Sequence, residues 1–454
     1  MSLDTLETPQ THTSSIFGIY HEIFAQGVQS TLSYWESLFC HSQELLEIWR
    51  EMLQQHKNPL SYISTQGEYQ TFMSSQKARK LVFETALKQL QLLKGKEKYI
   101  NPELQRLENY IRTNLAFTFT FERPDYNVSC QKEEEICETE RMRLMKFSPI
   151  EISQDNAYLL IAPISGHFPT LLRKTIQALL DEGYEVYITD WKSPLEINQN
   201  TLTGLDAYTQ DISDTYDIVS HDTQSFDVLA VCQPGPITLS SLALSESQGK
   251  EVPRSVTLMA SPIDTSVNPT QVGKVGESLS PMMLHQAQLT SPKSGKQVYP
   301  GTYQISNFIS ANLERHLKKF TSLAFKSTPL DIEEEKTLAF YHEYFAVMDI
   351  PFDFFQETIQ KVFQTREWKS GKVRFGDGLL DINNIQTPLC IIEGEKDDIC
   401  GIGETHAALG ITEQTETLEN YLCVPDTGHY GVFAGKAFRK QVIPHMSRFQ
   451  QSLS

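Results

Sequence analysis

No apolar run in this chain approaches the roughly 20 residues that a bilayer-crossing helix requires. Basic charge is scarce: 39 Lys and Arg stand against 57 Asp and Glu, a formal net charge of −18, with no long Lys/Arg run. Phosphate backbones need a concentrated cationic surface, so nucleic acid is excluded as a partner. The seven cysteines, at 40, 130, 137, 232, 390, 400 and 423, are odd in number and show no C-x-x-C spacing. That pattern fits neither a disulfide framework nor a zinc knuckle. H-E-x-x-H, a P-loop and a strand-borne Gly-x-Gly-x-x-Gly are all missing, so neither metal nor prosthetic group is expected. The opening MSLDTLETPQTHTSS lacks the basic start and apolar centre of a secretory signal. The expected setting is therefore a reduced, cytoplasmic one.

What is present has a clear rhythm. Residues 1–117 read as a helical N-terminal region. Apolar positions recur every three to four residues in IYHEIFAQGVQSTLSYWESLFCHSQELLEIWREML, and again in KARKLVFETALKQLQLL. Such amphipathic helices suit a layer packed on a main domain, or a surface that docks on a hydrophobic particle. Near residue 118 the texture changes. FTFTFE alternates like a strand, and RMRLMKFS is its expected partner across the acidic turn QKEEEICETE. Short apolar strands then alternate with helices: AYLLIAP, FPTLLRKTIQALLDEG, YEVYITD, FDVLAVC, ITLSSLALSES, RSVTLMAS. The pattern predicts an α/β fold with a mostly parallel sheet and helices on both faces. Residues 118–262 form the first part of this core. The rhythm lapses over 263–376, a helix-rich, aromatic stretch expected to be a lid, and returns over 377–454 with PLCIIEGEKDD and YLCVPDTGHYGVF.

Parallel sheets place their sites at the carboxyl ends of strands. At one such end stands Cys232, in LAVCQPGPITLS. A buried structural thiol is the plain alternative, since free cysteine packs as a small hydrophobe. The α/β-hydrolase arrangement, however, runs nucleophile, acid, histidine along the chain, with the nucleophile on a tight strand-to-helix turn. Cys232 fits the first role. Asp397 in EGEKDDI fits the second, with Asp398 in reserve, and His429 in TGHYGVF fits the third. The usual G-x-S-x-G turn here reads Ala230-Val231-Cys232-Gln233-Pro234. The Gln233 N–H is one expected oxyanion donor, and Ile164 or Ser165 in APISGH supplies the second. His167 either lines the site or is structural.

The motifs LLIAPISGHFPTLLR, VYITDWKSP, LAVCQPGP, SVTLMASPIDTSVNPT, YHEYFAVMD, EGEKDDICGIGET and GHYGVFAGKAFR resemble the intracellular polyhydroxybutyrate depolymerases, from about Pro124 to the C-terminus. The resemblance implies an α/β-hydrolase that attacks amorphous poly(3-hydroxybutyrate) in cytoplasmic storage granules through a Cys-Asp-His triad. It carries the cysteine to Cys232, the acid to EGEKDD and the histidine to His429. The implied partner is the granule surface or its oligomers. The acyl-thioester on Cys232 would pass to water or to the thiol of coenzyme A, which is a candidate acceptor rather than a resident cofactor. The alternative is a polyhydroxyalkanoate synthase-like acyltransferase, which uses the same triad towards polymer. Its nucleophile box resembles G-x-C-x-G, so A-x-C-x-P is read here on the depolymerase side. A small-ester esterase and a non-catalytic granule-coating protein are further rivals.

Overall fold

The computed structural model describes residues 66–94, 102–291 and 293–453. The apolar-periodic stretch from Ile19 to Leu53 lies outside the described residues. KARKLVFETALKQLQLL falls within helix α1 (Gln66–Lys94), which α2 (Pro102–Ala116) follows.

The centre of the molecule is an eight-stranded sheet. Its strands are β1 (Lys132–Glu138), β2 (Met142–Ser148), β3 (Ala157–Ile161), β4 (Glu185–Trp191), β5 (Phe226–Val231), β6 (Val256–Met259), β7 (Leu389–Gly394) and β8 (Tyr421–Val424), in the spatial order 1-2-4-3-5-6-7-8. β1 and β2 are antiparallel to their neighbours, and every pairing from β4 onward is parallel. This order and these connections are those of the α/β-hydrolase fold. β3 and β5 are buried at every position, which explains their unbroken apolar runs: a central parallel strand is covered on both faces. Helix α3 (Arg173–Asp181) leads from β3 to β4. Helices α4 (Leu205–Asp222) and α5 (Gly235–Gln248) flank β5 in sequence and meet through the hydroxyl pairs Ser213–Ser245 and Tyr216–Ser241, each 2.7 Å.

Two sequence expectations are corrected. The acidic segment is not a turn: Lys132–Glu138 is β1, and β2 pairs with it on one side and with β4 on the other. An edge strand leaves its outer flank in water, so glutamates that read as a loop can occupy it. FTFTFE is not a sheet strand either. Only Thr120 makes an isolated bridge, to Ala346. Its alternation instead aims aromatics at the cap: Phe117 stacks on Tyr341 at 3.9 Å between ring centres, and Phe119 meets Phe345 at 5.0 Å.

Between β6 and β7 the chain builds that cap, including α6 (Leu313–Ala324) and α7 (Ile332–Tyr344). Asp331 starts α7 with a reciprocal capping box, its carboxylate accepting from the Glu333 and Glu334 N–H groups. Beneath α7 lies an apolar cluster containing Leu323, Leu338, Tyr341, Tyr344 and Phe345. The N-terminal helices attach here rather than to the sheet. Asn109 donates to the Lys326 and Thr328 carbonyls at 2.9 and 2.8 Å, Arg112 pairs with Glu335, and the Tyr69 hydroxyl donates to Asp349 at 3.0 Å. Helix α8 (Ile443–Ser452) closes the chain, with Gln450 donating to Asp227 at 2.6 Å. No helix among the described residues is long and apolar enough to cross a membrane.

Candidate active site

Cys232 follows the last residue of β5, and its backbone is left-handed, with φ +65°. A non-glycine residue rarely adopts this conformation, and where it persists the surroundings enforce it. Here they do. The Cys232 N–H donates to the Met259 carbonyl of β6 at 2.8 Å, and its own carbonyl accepts from Gly235 at 3.2 Å. The turn thus lifts the thiol away from the sheet edge. Gly235, which the sequence reading passed over, makes the approach possible: a Cβ there would lie 2.3 Å from that of Ser261. The glycine missing from the usual motif positions stands one residue beyond them.

The acid and the base come from the ends of β7 and β8. Asp397 lies three residues past Gly394, and its N–H donates to that glycine's carbonyl at 3.1 Å. One carboxylate oxygen accepts from the Ile399 and Cys400 N–H groups at 2.8 and 2.9 Å. The other accepts from Nδ1 of His429 at 2.8 Å. Both side chains are almost wholly buried, at 1% and 3% exposure. With Nδ1 committed to Asp397, Nε2 is the nitrogen left for Cys232, with which His429 shares a hydrogen bond. Burial pulls the imidazole pKa down, but Asp397 and the Cys232 sulfur outweigh it and hold it well above the ordinary histidine range. A histidine held in this way is suited to take the proton of a cysteine nucleophile. The three predicted residues therefore meet in one place.

Asp398 does not join them. Its carboxylate turns to the cap, accepting from Asn312 and pairing with Arg315 at 3.2 Å. Nor does His167 present a reactive nitrogen. It is 1% exposed, its Nε2 bonds the Tyr344 carbonyl at 3.1 Å, and its backbone bridges to Val347. Burial pushes it down to about 3, so it stays neutral and fastens the cap.

The two oxyanion candidates from APISGH are in different situations. The Ile164 N–H donates to the Gln233 side-chain oxygen at 3.3 Å, so it can receive substrate only once that amide moves. The N–H groups of Ser165 and Gln233 have no protein acceptor among the described residues. The loop is pinned from behind, with the Met348 N–H donating to the Gly166 carbonyl at 2.9 Å.

Sequence reasoning missed three other features. Glu393, buried at the end of β7, accepts from the N–H groups of Gly403, Thr405 and His406 and from the Tyr421 hydroxyl, fixing the far side of the acid loop. Burial pushes Glu404 up to about 8, keeping it neutral behind Asp397. Tyr430, next to His429, meets Tyr344 and Phe340 of α7 at 5.5 and 5.4 Å between ring centres, roofing the thiol with aromatics. The only signal for Tyr430 was its place beside the histidine. No group of His, Cys, Asp or Glu among the described residues could hold a metal ion.

Residues 260–454 match the family model described as PHB de-polymerase C-terminus. The chain is 22% identical over 371 residues to the poly(3-hydroxyalkanoate) polymerase subunit PhaC of Synechocystis sp., covering 76% of this chain and 93% of that protein. It is 24% identical over 286 residues to the subunit of the same name from Allochromatium vinosum, covering 61% and 74%. Among solved structures, an esterase from Thermogutta terrifontis aligns with a TM-score of 0.40 at 11% identity, covering 69% of this chain and 94% of that one. A 2-hydroxy-6-oxo-6-phenylhexa-2,4-dienoate hydrolase from Rhodococcus sp. aligns at 0.38 and 12%, covering 70% and 99%. The fold assignment itself rests on the strand order and connections.

Proposed function

We propose that this chain is a cysteine acyltransferase of poly(3-hydroxyalkanoate) chemistry, working in the polymer-forming sense of its curated relatives. The observation that carries the reading is the Asp397–His429 bond at 2.8 Å, with the remaining imidazole nitrogen turned to Cys232. The Cys232 thiolate attacks the carbonyl of a 3-hydroxyacyl thioester. The oxyanion gathers the Gln233 and Ser165 N–H groups, with Ile164 as a third once the Gln233 amide withdraws. His429 gives its Nε2 proton to the departing thiol, leaving the acyl group on Cys232. It then takes the proton from the hydroxyl of a growing chain as that oxygen attacks, and the new ester leaves the thiolate free. Exchange between two thioesters is close to isoenergetic, which suits a sulfur nucleophile.

The sequence resemblance favoured depolymerisation. The polymerase names of the relatives move the balance to the synthase direction, which had been the alternative. The match of residues 260–454 to a de-polymerase C-terminus keeps the reverse direction as a second reading. In it the same thiolate opens a polymer ester, and water or a thiol takes the acyl group. Association with storage granules, and with them the cytoplasm, belongs to both directions.

Purified protein supplied with 3-hydroxybutyryl-coenzyme A, or with amorphous poly(3-hydroxybutyrate), separates the directions. Thiol release with growth of polymer supports synthesis. Soluble acid, or acyl-coenzyme A formed from polymer, supports the second reading. Binding to polymer with no turnover by either wild type or Cys232→Ala would leave a coating protein and sink both.

A further inference from the structure

Beside the triad, and outside the chemistry assigned above, is a cavity of about 240 Å³. Its floor is the segment that follows His429, including Tyr430 and Phe433; its roof is Phe340 and Glu343 of α7; its remaining wall is Arg173 and Lys174 at the start of α3. Most of this lining is apolar or aromatic, with the cations on one side. Tyr430 belongs both to this cavity and to the aromatic roof of the site.

The two cations differ. Arg173 is engaged, its guanidinium 2.7 Å from Glu343, whose other oxygen accepts from Thr170 at 2.7 Å. Lys174 forms no ion pair or hydrogen bond among the described residues. Two cations in the first turn of a helix also oppose its macrodipole, an arrangement that a bound anion relieves. Lys174 is exposed at the rim of the cavity, and partial desolvation with Arg173 beside it holds its ammonium below the ordinary lysine range. In a chain of net charge −18, an anion would otherwise be repelled.

We propose that this cavity binds the anionic end of the acyl substrate, with the apolar body along Phe340, Tyr430 and Phe433 and the negative group at Lys174. The ligand is an amphipathic anion, and two sources share that chemistry: the phosphates of a coenzyme A thioester and the free carboxylate of a 3-hydroxyacid oligomer. The inference rests on the acyl-transfer reading above, since that reading supplies a substrate with such an end.

The test is direct binding, independent of turnover. In a Cys232→Ala background, coenzyme A, a 3-hydroxybutyrate trimer acid and the trimer methyl ester are titrated against Lys174 and against the Lys174→Glu and Lys174→Arg variants. Lys174→Glu is expected to weaken at least one of the two anions by 10-fold or more (about 1.4 kcal/mol, the free energy of a tenfold change). Lys174→Arg should restore it, and the methyl ester should bind alike to all. Coenzyme A as the anion affected assigns the site to the thiol carrier; the trimer acid assigns it to the chain end. Absence of anion binding to the Lys174 protein, or equal effects on anion and ester, would overturn the proposal. Absence of turnover by the unsubstituted protein, with Lys174-dependent anion binding intact, would instead count against the acyl-transfer reading alone.

Discussion

The two sides of Cys232 are built from different materials. On the sheet side, most restraints come from backbone: the thiol's turn is held by Met259 and Gly235, the Asp397 carboxylate by the Ile399 and Cys400 N–H groups, and Glu393 by the N–H groups of Gly403, Thr405 and His406. On the cap side, side chains make more of the contact: the rings of Tyr344, Phe340 and Tyr430, the pair Arg315–Asp398, and the pair Arg173–Glu343. Backbone donors leave little conformational freedom, whereas ring contacts and ion pairs can part and re-form at modest cost. Chemistry is therefore set on one side and admission on the other.

Substitutions that respect this division should differ in kind. Cys232→Ala should lower turnover by about 10⁴-fold or more, as removal of a triad nucleophile does, with little change in melting temperature. Asp397→Asn should cost about 10³–10⁴-fold by disturbing the histidine's tautomer and charge, while Asp398→Asn, one residue away, should stay within about 10-fold. Steady-state kinetics of the two side by side would break the comparison if Asp398 proved the more damaging. Glu343→Ala strands Arg173 and Thr170 at the cap interface and should cost about 2–3 kcal/mol in urea unfolding, with the Asp397–His429 pair unaffected.

The smallest effect is a pH effect. His167 is held near 3 in the fold against about 6.5 when unfolded. The unfolded chain therefore binds the extra proton, so its contribution is complete above pH 6.5 and is lost as pH falls towards 3. At pH 5 the loss is about 2 kcal/mol by linkage. His167→Gln, which can still donate to the Tyr344 carbonyl, should flatten the acid side of the stability curve. An unchanged slope would remove His167 from the account.

Sheet-side features were the more legible in sequence. Strands β3 to β8 announced themselves as short apolar runs, and Cys232, Asp397 and His429 each followed one. The misreadings fell where burial is one-sided or supplied from far away. β1 is an edge strand whose glutamates face water, so its composition reads as a turn. Phe117 and Phe119 alternate as a strand would, yet their partners are Tyr341 and Phe345, more than two hundred residues on. Glu393 and Glu404 look like any loop carboxylates, because neither spacing nor composition reveals which acid is buried. Tyr430 and Lys174 acquire meaning only from α7, which folds over them.

The parallel pairing of β7 with β6 has a consequence in time. Val256 lies opposite Leu389, and the whole cap is threaded between them. A growing chain thus carries its cysteine long before it can carry acid and base, and the loop that joins them must close first, a slow, long-range step. Through that interval Cys232 lacks the Asp397–His429 pair, so the three-residue arrangement is complete only when the last strands arrive.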